Sequence, residues 1–170
     1  MRKKSSPGGY PGAISDNGND PAYMSLALRE AGYAADKDEV PVGAVIAYRG
    51  RVIARAHNQV EMLKDPTAHA EMIAITQAAA ALGNKWLSEC VMYVTIEPCS
   101  MCAGALVLAR VARVVYGAAD PKTGACGSVL DIVNHGTLNH RIAVTAGILA
   151  DECAMLLSDF FQNKRRAGKK

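Results

Sequence analysis

What the chain lacks narrows the field before any motif is found. No charge-free apolar run approaches the length of about 20 residues that a bilayer span requires, so no membrane segment is expected. The start, Met1 to Lys4 followed by serine, proline and glycine, has none of the apolar stretch of a secretory signal, and a reducing, cytoplasmic setting is expected. Cysteine is sparse. Cys90, Cys99, Cys102, Cys126 and Cys153 make an odd set of five in 170 residues, which excludes a disulfide framework and leaves metal binding or plain burial to account for them. Internal repeats are missing too, and a chain of this size fits one domain.

Apolar residues are nearly absent from Met1 to Asn19, which are rich in glycine, serine, proline and asparagine. Such a segment cannot offset the entropy of ordering, so residues 1–19 are expected to form a disordered extension. A domain is expected over residues 20–165 and a basic tail over 166–170. The net charge of +3 is unevenly placed, because Arg2, Lys3, Lys4, Lys164, Arg165, Arg166, Lys169 and Lys170 hold eight of the nineteen basic residues. Eleven basic residues then face sixteen acidic ones in between. A mildly acidic body with basic ends suits a polyanion that touches the periphery, and equally suits solvated tails kept for solubility.

The pattern of what is present predicts alternating strands and helices. Asp20 as an N-cap and Pro21 at the first helical position open a helix to about Ala35, with Leu26 and Leu28 to Tyr33 as its apolar face. Val42 to Ala47 and Val52 to Ala56 flank the turn signal Arg49-Gly50 and read as a hairpin. Thr67 to Leu82 reads as a helix closed by Gly83. Val91 to Ile96 (strand), Ser100 to Arg110 (helix) and Val111 to Tyr116 (strand) follow. A long connection over Gly117 to Asn139 has the length of a functional loop. A last strand over Arg141 to Thr145 precedes a helix from about Ala150 to Arg165. The architecture expected is an α/β fold, a three-layer α/β/α sandwich around a mixed sheet of about five strands.

Two short segments carry the chemistry: His69-Ala70-Glu71 and Pro98-Cys99-Ser100-Met101-Cys102, each opening a helix after a loop. The spacing of Cys99 and Cys102 puts both sulfurs on one face of a first turn, where the helix N-terminus favours the thiolate. His69 offers a third ligand. A structural zinc site normally has four protein ligands, whereas a catalytic one keeps three and an open position. Cys126, His57, His135 and His140 could close the site, but none stands at a spacing that recommends it. Glu71 follows His69 by two residues, so on a helix its side chain diverges by about 200° and is a poor second ligand. Its length still lets it fold back toward a metal-bound water, the position of a proton shuttle. A glutamate satisfying the helix N-terminus is the bland alternative.

His-x-Glu followed by Pro-Cys-x-x-Cys is the signature of zinc deaminases. The likeness narrows with Val40-Pro41-Val42-Gly43-Ala44-Val45, Asn58, Asp65-Pro66-Thr67-Ala68, Glu97-Pro98-Cys99-Ser100-Met101-Cys102-Ala103-Gly104 and Asp120-Pro121-Lys122-Thr123-Gly124. Asn139-His140-Arg141, Gly147-Ile148-Leu149 and Phe160-Phe161 extend it. From about Asp20 to Lys164 the chain resembles the bacterial-type tRNA-specific adenosine deaminases of the cytidine deaminase-like superfamily.

That resemblance implies hydrolytic deamination of adenosine to inosine in a tRNA anticodon stem-loop, at the wobble position. It implies Zn2+ held by His69, Cys99 and Cys102, with Glu71 as the catalytic acid and base. It also implies substrate contacts by Asn58 to the purine or ribose, by backbone near Ala70 and Cys99 to the developing oxyanion, and by Asp120 to a ribose. Phe161, Lys164 and Arg165 then receive the splayed bases and backbone, and the protein is a homodimer. Read without the resemblance, Asn58 is a turn asparagine, Asp120 a loop aspartate and the paired phenylalanines core. Two rival functions stand beside this one: a deaminase of a free base or nucleoside such as guanine, cytosine or cytidine, and a zinc-stabilised RNA-binding protein without activity.

Overall fold

The computed structural model describes residues 18–168. The extension expected over 1–19 therefore falls almost wholly outside the described residues, as do Lys169 and Lys170 of the tail.

The first helix, α1 (Asp20–Asp36), begins one residue earlier than expected, with Asn19 rather than Asp20 at the N-cap. Asp20 is 3% exposed, and its carboxylate accepts two hydrogen bonds from Arg113, at 3.1 and 2.5 Å. A buried carboxylate has a stronger need for a charged partner than a helix end has for a cap. The expected Leu26 and Leu28 pack half-buried against the core, but the fully buried line of α1 is Met24, Ala27, Ala31 and Ala34, and Tyr33 is 48% exposed. Close approach decides this. A Cβ on Gly43 would stand 2.0 Å from the Ala27 carbonyl oxygen and 2.5 Å from the Ala31 nitrogen, so the helix backbone rides directly on the sheet and only small side chains fit between.

β1 (Gly43–Tyr48) and β2 (Arg51–His57) form the expected antiparallel hairpin. Arg49 and Gly50, at φ 48° and 76°, make a two-residue turn whose twist matches the strands it joins. A single helical turn follows, α2 (Val60–Leu63), which the sequence pattern does not reveal. α3 (Ala70–Leu82) starts three residues later than expected because the Asp65 carboxylate ties the Thr67 amide and hydroxyl into a turn, at 2.8 and 2.7 Å. It ends at Gly83 in the left-handed conformation, as expected.

β3 (Cys90–Ile96), α4 (Ser100–Leu108), β4 (Arg113–Ala118), β5 (Ala143–Ala146) and α5 (Ala150–Ala167) complete the fold. α5 runs two residues into the stretch assigned to the tail. The five strands lie in the order β2-β1-β3-β4-β5, antiparallel at β2-β1 and β1-β3 and parallel at β3-β4 and β4-β5. Alternate strand residues serve opposite faces. Ala44, Ile46, Met92, Val94 and Val114 pack with Ala70, Ala74 and Leu106 of α3 and α4. Val45, Ala47, Val91, Tyr93 and Val115 pack with Met24 and Ala27 of α1 and Cys153 of α5. The result is a three-layer α/β/α sandwich around a mixed sheet. Both α3 and α4 begin at the end of the sheet where β3 finishes, the edge at which open α/β sheets bind ligands.

Candidate metal centre

Each of these two helices opens on a metal-binding side chain. His69 is the N-cap of α3 and Cys99 the N-cap of α4, both in extended backbone conformation. Cys102 lies within the first turn of α4. His69 Nδ1 stands 3.7 Å from Cys99 Sγ and 3.5 Å from Cys102 Sγ, and the three donor atoms lie within 4.8 Å of one another. A tetrahedral ion bonded to nitrogen at about 2.0 Å and to sulfur at about 2.3 Å needs such donors about 3.6 Å apart. The trio fits an ion as it stands.

Among the described residues no other cluster could hold one. The histidines available to close the set are engaged elsewhere, and Cys126 is not part of the cluster. His57 sits 3.4 Å from Glu30 and 3.2 Å from Lys37, His135 pairs with Thr137, and His140 with the Val111 carbonyl. Cys126 is buried, and its amide donates to Glu97 at 3.0 Å.

The electrostatics of the trio are those of groups sharing too few protons. Hydrogen bonds from Cys102 and His69 hold the Cys99 thiol down at about 4. The bond to Cys99, followed by burial, raises Cys102, and the same contact with Cys99 raises His69. A cation relieves the arrangement by taking the place of the protons.

Glu71 stands beside the trio, 2% exposed and outside the ligand set. Burial raises its carboxyl above the ordinary range, against the opposing pull of a backbone hydrogen bond and of His69. Its Oε2 is the one buried side-chain oxygen or nitrogen without a partner among the described residues. An orphan of this kind costs roughly 1–3 kcal/mol, and at a chemical centre it marks an atom kept free to accept a proton.

Of the expected substrate contacts, Asn58 and Ala70 are joined to this centre. Asn58, 6% exposed, accepts the Ala70 amide on its Oδ1 at 3.0 Å, so the asparagine side chain fastens the start of α3 between His69 and Glu71. The Asp120 carboxylate closes its own turn, accepting the Lys122 and Thr123 amides at 2.8 and 3.2 Å and the Thr123 hydroxyl at 2.5 Å. The remaining three lie late in α5 and make no contact with the centre. Lys164 binds Asp38 at 2.5 Å, Phe161 is 43% exposed with its ring edge-on to Phe160, and Arg165 is exposed.

Two buried carboxylates escape a reading of the sequence. Glu39, 1% exposed, accepts the Glu61 and Met62 amides at 3.0 and 2.7 Å and so caps α2. Glu97, also 1% exposed, receives three amides and a hydroxyl from residues 120–128. The available signal for Glu97 is an acid at the end of an unbroken apolar strand.

The chain is similar to known proteins along most of its length. Residues 18–165 match the MafB19-like deaminase family. A tRNA-specific adenosine deaminase of Bacillus subtilis (strain 168) is 47% identical over 150 residues, 88% of this chain and 93% of its own length. A solved structure of a tRNA deaminase that edits A to I at the wobble position is 46% identical, with a TM-score of 0.78 over 80% of this chain and 99% of its own. A guanine deaminase of Nitrosomonas europaea is more distant at 27% identity, with a TM-score of 0.73 over 82% of this chain and 83% of its own.

Proposed function

The chain belongs to the MafB19-like deaminase family, and on that premise we propose that it hydrolyses adenosine to inosine in tRNA, at the wobble position of the anticodon. The observation that carries the reading is the buried, partnerless Glu71 Oε2 beside a donor trio of one imidazole and two thiols.

The ion is Zn2+, which suits nitrogen and sulfur donors at these separations, and His69, Cys99 and Cys102 hold it. When bound it supplies Lewis acidity, which makes water a nucleophile near neutral pH. Glu71 takes one proton from the attacking water and delivers it to adenine N1, then takes the second from the hydroxyl added at C6 and delivers it to the departing amino group, so that adenosine and water yield inosine and ammonia. Burial favours this cycle, because a carboxyl raised above its ordinary range takes up a proton more readily than an exposed one and can still return it. With its Oδ1 taken by Ala70, Asn58 offers its Nδ2 donors to the purine or ribose. The backbone near Cys99 would serve the developing oxyanion, the Ala70 amide expected beside it being already donated to Asn58. Asp120 shapes the loop that meets the ribose, and Phe161, Lys164 and Arg165 receive flanking bases and phosphates at the periphery.

An anticodon loop presents its bases unpaired, so extruding one costs only a few kcal/mol. A homodimer is part of the proposal, supported by apolar side chains left exposed: Met62 and Leu63 on α2, Leu108 on α4 and Val129 with Leu130. A cytoplasmic location accords with a tRNA substrate, and no described helix is long and apolar enough to cross a membrane.

The deciding experiment incubates purified protein with transcribed tRNAs carrying adenosine at the wobble position and sequences for inosine. Free guanine, cytosine and cytidine are run in parallel. Conversion of a free base with none in tRNA overturns the assignment in favour of the first rival. Zinc binding and RNA affinity without any turnover favour the second, against which an orphaned Glu71 Oε2 already argues.

A further inference from the structure

Glu97 takes no part in the chemistry above, yet it is a buried acid two residues before a metal ligand and its carboxylate is fully occupied. Oε1 accepts the amides of Cys126 and Ser128, each at 3.0 Å. Oε2 accepts the Asp120 amide at 3.0 Å and the Ser128 hydroxyl. Four donors from one loop converge on one carboxylate, an arrangement that only a charged acceptor with two oxygens satisfies.

The surrounding backbone is built around this contact. A Cβ on Gly124 would stand 2.5 Å from the Glu97 carboxyl carbon, so glycine lets the loop close over it. On the far side of the loop the Ala125 amide donates to the Pro98 carbonyl at 2.8 Å, and Gly124 forms an isolated bridge with Cys99 itself. The loop carrying Asp120 is thereby seated against the segment carrying Cys99 at three successive residues, 97, 98 and 99.

We propose that Glu97 is a positioning residue, a carboxylate clamp that fixes residues 120–128 in the place where they meet the RNA substrate. The inference rests on the deaminase reading for the identity of that substrate. The clamp itself rests on the hydrogen bonds alone. A glutamine of the same shape replaces one acceptor oxygen with two donors. These oppose two backbone amides at one position and, at the other, one amide beside a hydroxyl that can turn to accept, so at least one amide loses its acceptor whichever way the side chain turns.

The test compares wild type, Glu97→Gln and Ser128→Ala by three measurements: bound metal, hydrogen exchange at the Asp120, Cys126 and Ser128 amides, and kcat and KM on an anticodon stem-loop. For Glu97→Gln the expected result is retained metal, exchange at these amides faster by about tenfold to a hundredfold, and a similar rise in KM with kcat changed much less. Ser128 is exposed, and its variant removes one of the four bonds, so it keeps its fold and should give a smaller shift in the same direction. Unchanged exchange in both variants overturns the clamp. So does a fall in kcat that tracks lost metal or a lowered melting temperature with KM unmoved, the pattern of a purely structural acid. Should wild type make no inosine at all, the functional reading falls, and the exchange comparison still decides whether the clamp exists.

Discussion

At the scale of single residues, the centre is largely legible in the sequence because ligand chemistry is written in spacing. Two cysteines three apart at a helix start can only share a face, and Glu71, two residues after His69, is set off from the ligands by helix geometry. The orphaned Oε2 makes this assignment testable. Glu71→Gln should retain one metal per chain while kcat falls by about a hundredfold to ten-thousandfold, measured by elemental analysis beside an inosine assay. The thiols should also sort themselves once the metal is stripped by a chelator. Cys99, partly exposed and held down at about 4, should alkylate first, while Cys90 and Cys153, buried and pushed up to about 11, stay unmodified in the folded protein. Peptide mapping after brief labelling reads this directly, and metal should protect Cys99. The roles of Asn58 and Glu97 are not legible in the same way, since a side chain that holds distant backbone reveals its partner only in three dimensions.

At the scale of elements, strands, their order of appearance and the starts of α4 and α5 follow from apolar runs, glycine stops and turn signals, whereas the innermost face of α1 and the starts of α1 and α3 do not. Side-chain hydrophobicity points α1 toward Leu26 and Leu28, but contact distance selects its alanines, and composition carries no record of how close two backbones will come. Gly43→Ala should therefore destabilise by more than the roughly 1–3 kcal/mol typical of overpacking, because the added methyl meets main chain at 2.0 and 2.5 Å rather than a side chain that can turn aside. Chemical denaturation of the two proteins side by side measures the difference. Asp20 departs from its expected capping role for a related reason: its partner Arg113 is far along the chain, on β4. The pair is nearly buried, with 13% of the Arg113 side chain and 4% of the Asp20 side chain exposed. Asp20→Ala strands the guanidinium and should cost about 3–5 kcal/mol, a melting-temperature drop on the order of ten degrees, partly recovered when Arg113 is replaced by leucine as well.

At the scale of the whole molecule, the uneven charge makes its own prediction. Neutralising Lys164, Arg165 and Arg166 should weaken tRNA binding and make it less sensitive to salt, the slope of log affinity against log salt falling by about one for each phosphate no longer neutralised. An unchanged slope would assign these residues to solvation. The fold also divides its own support: the core lies on both faces of the sheet, while the two helices that meet at the centre open on metal-binding side chains. Protein purified from zinc-starved cells should therefore look folded by every measure of secondary structure and still be idle, and a trace of the right salt should revive it with no refolding step.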